Sequence, residues 1–99
     1  MASNIKMTPS ELREGSSFIK ARRDAIVGEV DAMRSKINEV SSRWEGASQT
    51  AYMSVVEEMY PMLKEKFPEA IEGLAKAMET AAQILEEADR QIAGAMSQG

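Results

Sequence analysis

The chain has 99 residues, enough for one small domain, and its 43% hydrophobic and 28% charged content is that of a folded protein. It contains neither cysteine nor histidine. Disulfides, thiolate metal sites and the commonest general base are thereby all removed. The net charge of −4 divides into +1 over residues 1–46 and −5 over residues 47–99, which argues against the basic face of a nucleic-acid binder.

Thr8-Pro9-Ser10-Glu11 reads as a helix start: an N-cap, a proline at the first helical position and a capping-box glutamate. From there Leu12, Ile19, Ile26, Met33 and Val40 recur every seven residues, and Val30, Ile37 and Trp44 form a second row four positions later. Such alternating spacings predict an amphipathic helix, about 8–43, with a coiled-coil-like seam. The seam is polar near its start, where Ser16 and Arg23 occupy the second row. Gly15 and Gly28 each cost about 1 kcal/mol against alanine in a helix interior, a cost consistent with close approach of another helix.

Ser41-Ser42-Arg43-Trp44-Glu45-Gly46 is the one convincing break. Gly46 suits the left-handed residue that ends a helix, and Ser48 is a candidate cap for the next. So short a link predicts a second helix running back antiparallel to the first. That helix, about 48–94, carries Tyr52, Val56, Met59 and Leu63, then Phe67, Ile71, Leu74, Met78, Ala81, Leu85, Ala88 and Ile92. Its register shifts between residues 61 and 68, where Pro61 and Pro68 each remove a hydrogen bond. Two separate helices or one kinked helix would both explain the shift. With no Ser, Thr, Asp or Asn between Val55 and Glu79 to cap a new start, the kinked helix is favoured. The tail 95–99 is expected to fray.

A hairpin of this kind would be about 50 to 70 Å long and would leave Phe18, Val27, Val55, Met62 and Ile84 on its flanks. Apolar strips of that length exceed what monomers usually expose. The expected architecture is therefore all-α: an antiparallel helix-turn-helix hairpin that dimerises into an elongated four-helix bundle. The stripe expected to form its core and interface is Leu12, Ile19, Ile26, Val30, Met33, Ile37 and Val40 on the first helix. Met59, Leu63, Phe67, Ile71, Leu74 and Met78 continue it on the second.

The residues carry little chemistry. No base stands beside a serine, and Glu57-Glu58 and Glu86-Glu87 point about 100° apart around a helix. No catalytic residue, cofactor or metal is expected. Lys20-Ala21-Arg22-Arg23 could touch acidic lipid or a partner's carboxylates, but reads more simply as a solvated face. Met33, Met59 and Met78 read as core rather than as an adaptable binding surface. No apolar run approaches the roughly 20 residues of a membrane span. The opening MASNIKMTPSEL lacks the apolar core of a secretory signal peptide, so any export is expected to use another address.

Trp44-Glu45-Gly46 lies midway along the chain between two long amphipathic helices. The indole is expected to cap the hairpin end, where truncating a fully packed ring would cost about 3–5 kcal/mol. With the Thr8–Glu11 start and the total length, this pattern resembles the small WXG proteins, also called Esx or early-secreted-antigenic-target-like proteins, over nearly the whole chain. The resemblance implies helical hairpins forming homodimers, or heterodimers with a related WXG protein. It also implies export without a cleaved signal by a type VII secretion system of Gram-positive bacteria or mycobacteria, with that system's ATPase as a partner. It further implies that Trp44 and Gly46 shape the bend and contribute to secretion recognition.

The family's C-terminal signal, Tyr-x-x-x-Asp/Glu, has its nearest equivalent in Leu85-Glu86-Glu87-Ala88-Asp89. Asp89 matches the acidic position, but Leu85 replaces tyrosine. Leu85 could serve in the same role, a dimer partner could supply the signal, or Leu85 could be core with Asp89 a surface charge. The leading expectation is a secreted, non-enzymatic type VII substrate, virulence-associated or an escort for a co-secreted protein. The alternative is a cytosolic helical adaptor whose bend is only architectural. Membrane contact is the weakest reading, since the chain is acidic and no histidine provides a low-pH switch.

Overall fold

The computed structural model describes residues 6–98. Helix α1 spans Pro9–Ser41, α2 Ala47–Pro61 and α3 Phe67–Gln98, with a π-helical turn, Met62–Lys66, joining the last two into one rod. Thr8 caps α1: its Oγ1 accepts from the Glu11 amide at 3.0 Å, and its hydroxyl donates to the Glu11 carboxylate at 3.1 Å. Glu11 therefore closes the cap through the hydroxyl. The Ser42 amide donates to Asn38 O, and turn bonds from Arg43 and Trp44 finish the helix. Gly46, at φ 108° and ψ −177°, is the N-cap of α2; α1 has already ended at Ser42 in a right-handed conformation, so Gly46 does not terminate that helix and Ser48 does not cap the next. The longest extent is 80 Å, beyond the expected 50 to 70 Å, because helical structure continues through Gln98 and includes the tail expected to fray as far as that residue.

The two rods meet along a narrow seam. Its α1 side is Leu12, Ser16, Ile19, Arg23, Ile26 and Val30, followed by Arg34, Ile37 and Ser41, all buried or half-buried. After Val30 the seam steps to 34 and 41 where a strict seven-residue row would give 33 and 40. A straight helix drifts about 20° per heptad against such a row, and without supercoiling the row walks off the seam. Met33 and Val40, expected on the core stripe, consequently lie on the flank, each half exposed.

In the returning rod the seam runs through Met53, Val56, Tyr60, Lys64 and Pro68, then Ile71, Ala75, Met78, Ala82 and Leu85. The π turn causes the shift near the prolines. The Phe67 amide donates to Met62 O five residues back, which inserts one residue where Pro68 has no amide to give. Leu63 and Phe67 rotate outward as a result, and Lys64 and Pro68 take their places. Met59 and Leu74 also face outward, so four of the residues expected on the returning stripe belong to the open flank.

Closest approach is between α1 and α3, with no comparable backbone approach of α1 to α2. Small residues explain the difference. Ala75 and Ala82 are fully buried, Ser16 nearly so, and an added Cβ at Gly15 would lie 2.8 Å from Met78 Sδ. Toward the bend the hairpin opens, and a cavity of about 190 Å³ lies between α1 and α2.

Candidate functional site: the tryptophan bend and the open apolar face

Gly46 takes a backbone conformation that residues with a Cβ rarely adopt, and this turns the chain within five residues. The turn places Trp44 over the first turns of α2. Its indole N–H donates to Ser48 Oγ at 3.1 Å, and its ring centroid lies 5.6 Å from that of Tyr52, tilted by 33°. Gln49 reaches back to donate to the buried Ser41 hydroxyl. Trp44 remains 36% exposed, so the ring is a lid on the bend with one face available, and the fully packed cap expected from the sequence is corrected. Sequence reasoning missed Tyr52 and Ser48 as its partners. The signal was their position one and two helical turns past the tryptophan, legible only once the chain is bent.

At about 100° per residue, the seam divides each helix into two flanks, and antiparallel pairing brings like flanks to the same side. One side is charged. Arg13 donates both amino groups to Glu86 at 2.6 and 2.9 Å, Lys20 and Ser16 share Glu79 Oε2 at 2.5 and 2.7 Å, and Arg23 meets Glu72 at 3.1 Å. Nearer the bend Lys64 and Tyr60 donate to Asp31, and Arg34 donates to Glu57 and lies over the Tyr60 ring. The bond from Lys64 lowers the Asp31 pKa, and the bonds from Lys20 and then Ser16 lower that of Glu79. Arg13 lowers Glu86 by its hydrogen bonds, while Asp31 in turn raises Lys64. Lys20 and Arg23 of the basic cluster are thus already paired to α3 acids. That leaves Arg22, stacked over Phe18 at 4.8 Å, as the cluster's outward arginine.

The other side is apolar. Phe18, Met33 and Val40 of α1 and Val55, Met59, Leu63, Phe67 and Leu74 of the returning rod are all 42% exposed or more. The cavity opens within this side. Leu85 and Asp89 lie one turn apart on the same face of α3 but differ in exposure: Leu85 is half-buried on the seam, and Asp89 is exposed at the level where α1 begins. Among the described residues there is no cluster of three potential metal ligands, and no helix is long and apolar enough to cross a membrane.

The WXG100 family, described as proteins of 100 residues with WXG, matches residues 4–90. Protein YukE of Bacillus subtilis (strain 168) is 33% identical over 61 residues, 62% of this chain; the match spans 63% of YukE's length. A crystal structure of Geobacillus thermodenitrificans EsxA is similar with a TM-score of 0.72 and 28% identity, over 94% of this chain and 99% of that one.

Proposed function

Since the chain belongs to the WXG100 family, we propose that it is a non-enzymatic substrate of a type VII secretion system, acting by pairing with a second hairpin and by presenting its bend to the secretion machinery. The observation that carries the pairing is the one-sided surface. The opposite flank is neutralised by ion pairs within the hairpin, whereas the apolar flank leaves Phe18, Met33 and Val40 of α1 and Val55, Met59, Leu63, Phe67 and Leu74 of the returning rod uncovered, with Arg22 and Glu29 the charges among them on α1. Covering that flank with a second copy, or with a related WXG protein, makes a four-helix bundle and removes apolar area from water. The half-open Trp44 ring above Gly46 supports a role in recognition, with the secretion ATPase as the partner.

Asp89 is exposed where a tail signal could be read, whereas Leu85 is engaged in packing. In a pair with a related WXG protein the second subunit would supply the missing tyrosine and this chain would act as its escort; a second copy, with the same Leu85, would not supply it. Export is tested by comparing supernatants of a type VII-bearing host with and without its ATPase. Loss of the protein from the ATPase-less supernatant is expected, and equal amounts in both would leave the adaptor reading. Pairing is tested by size-exclusion chromatography with light scattering, where the mass of a dimer is expected and a stable monomer at micromolar concentration would overturn it.

A further inference from the structure

Resting on the reading that a second hairpin covers the apolar face, we propose that Arg34 and Tyr60 form a spacer across the seam, holding α2 away from α1 and so keeping that face open for pairing. The two ends of the hairpin differ in what crosses the seam. At the far end it is built from Ser16, Ala75 and Ala82, all buried, and the backbones of α1 and α3 come close. At the bend end the seam holds Arg34 on α1 and Tyr60 and Lys64 on the returning rod, each half-buried. Helix axes pack about 8 Å apart over small side chains and about 10 Å over large ones, and α2 makes no comparable approach to α1. The space left is the cavity of about 190 Å³, with Arg34 and Tyr60 both in its wall.

Arg34 is held extended by three contacts. Its Nε donates to Asn38 Oδ1 at 3.1 Å, an amino group donates to Glu57, and the guanidinium lies 4.8 Å from the centre of the Tyr60 ring. Tyr60 is fixed from its other end, where the hydroxyl donates to Asp31 at 3.3 Å beside the bond from Lys64. A free arginine side chain would lose much rotamer entropy on being held in one geometry; two acceptors and a ring supply what holds this one. Only 23% of the Arg34 side chain is exposed, so its length fills the seam rather than the surface. With the rods held apart, Val55, Met59 and Leu63 stand at the cavity, each at least 42% exposed. Closing the seam would turn part of that surface inward and leave less of it for a second hairpin to cover.

Shortening the spacer tests this. The chain has no cysteine, so spin labels can be attached at Ala32→Cys and Glu58→Cys, exposed positions of α1 and α2. In Arg34→Ala, diluted with unlabelled chain, the separation of those labels should shorten by about 2 Å, toward the spacing of helices packed over small residues. Labels at Ala21→Cys and Thr80→Cys, on α1 and α3, should keep their separation. Self-association, followed by sedimentation at falling concentration, should weaken about tenfold, the scale of one apolar side chain withdrawn from a contact, with helicity retained. Tyr60→Ala should act in the same direction, so the result does not depend on one variant. Arg34→Lys, long enough to reach Glu57 as Lys64 reaches Asp31, should preserve both the separation and the association. An unchanged separation between positions 32 and 58 in both alanine variants would overturn the spacer, as would closure that leaves association at the parent strength. A parent chain that stays monomeric would overturn the pairing reading instead, and the label distances would still decide whether Arg34 and Tyr60 hold the rods apart.

Discussion

Trp44→Ala measures how far the bend relies on its indole. A large aromatic side chain buries about 150–250 Å², and Trp44 keeps 36% of its surface exposed. Two-thirds of the middle of that range is about 130 Å². Allowing for a compact unfolded chain brings it to about 90 Å². At 25 cal/mol per Å² the loss is about 2 kcal/mol, contact with the Tyr52 ring included. No cavity penalty is added, since the site opens to solvent. This is below the 3–5 kcal/mol of a fully buried ring and corresponds to a fall in Tm of about 10 °C for a domain of this size. Trp44→Phe keeps the stacking on Tyr52 and loses only the bond to Ser48, at about 1 kcal/mol. Thermal unfolding followed by circular dichroism at fixed protein concentration reads both. A Tm unchanged by Trp44→Ala would refute the packing described here, and a loss above about 4 kcal/mol would place the ring in a fully enclosed contact.

Gly46→Ala would force a residue with a Cβ to φ 108° in a region that costs about 1–3 kcal/mol; since an added Cβ meets nothing within 4 Å, the whole loss is backbone strain, and the β-branched Gly46→Val should lose at least as much in the same melting assay. Gly28→Ala, mid-helix with open space around it, should raise stability by about 0.5–1 kcal/mol, and a loss there would indicate an unseen close neighbour. The carboxyls of Asp31, Glu79 and Glu86 lie below their ordinary values, so each stabilises the fold above its unfolded pKa. Denaturant midpoints should be flat from about pH 5 to 7, where no histidine titrates, and fall as the pH drops through the carboxylate range. Replacing all three by their amides should remove most of that dependence, and an unchanged acid limb would show that the ion pairs contribute nothing.

The returning rod shows where sequence reading stops. The prolines marked the place of the register shift and the missing caps favoured one rod, but the direction and size of the shift depended on the Phe67–Met62 bond five residues apart. That bond sends Leu63 and Phe67 to the open flank and brings Lys64 beside Asp31. On α1 the row from Leu12 to Val40 was visible as a stripe, yet Met33 and Val40 turned out of the seam because drift depends on whether the helices supercoil, a property of the pair.

Local chemistry alone determined the start at Thr8, the turn at Gly46, the helical character of both arms and the poverty of catalytic groups, because capping, left-handed turns and residue inventory act over a few neighbours. Tertiary structure decided which flank is charged and which is greasy, how closely α1 meets α3, and that a cavity opens near the bend. These follow from small residues facing one another at one end and bulky ones at the other, and contacts between positions some 20 to 70 residues apart have no local signature.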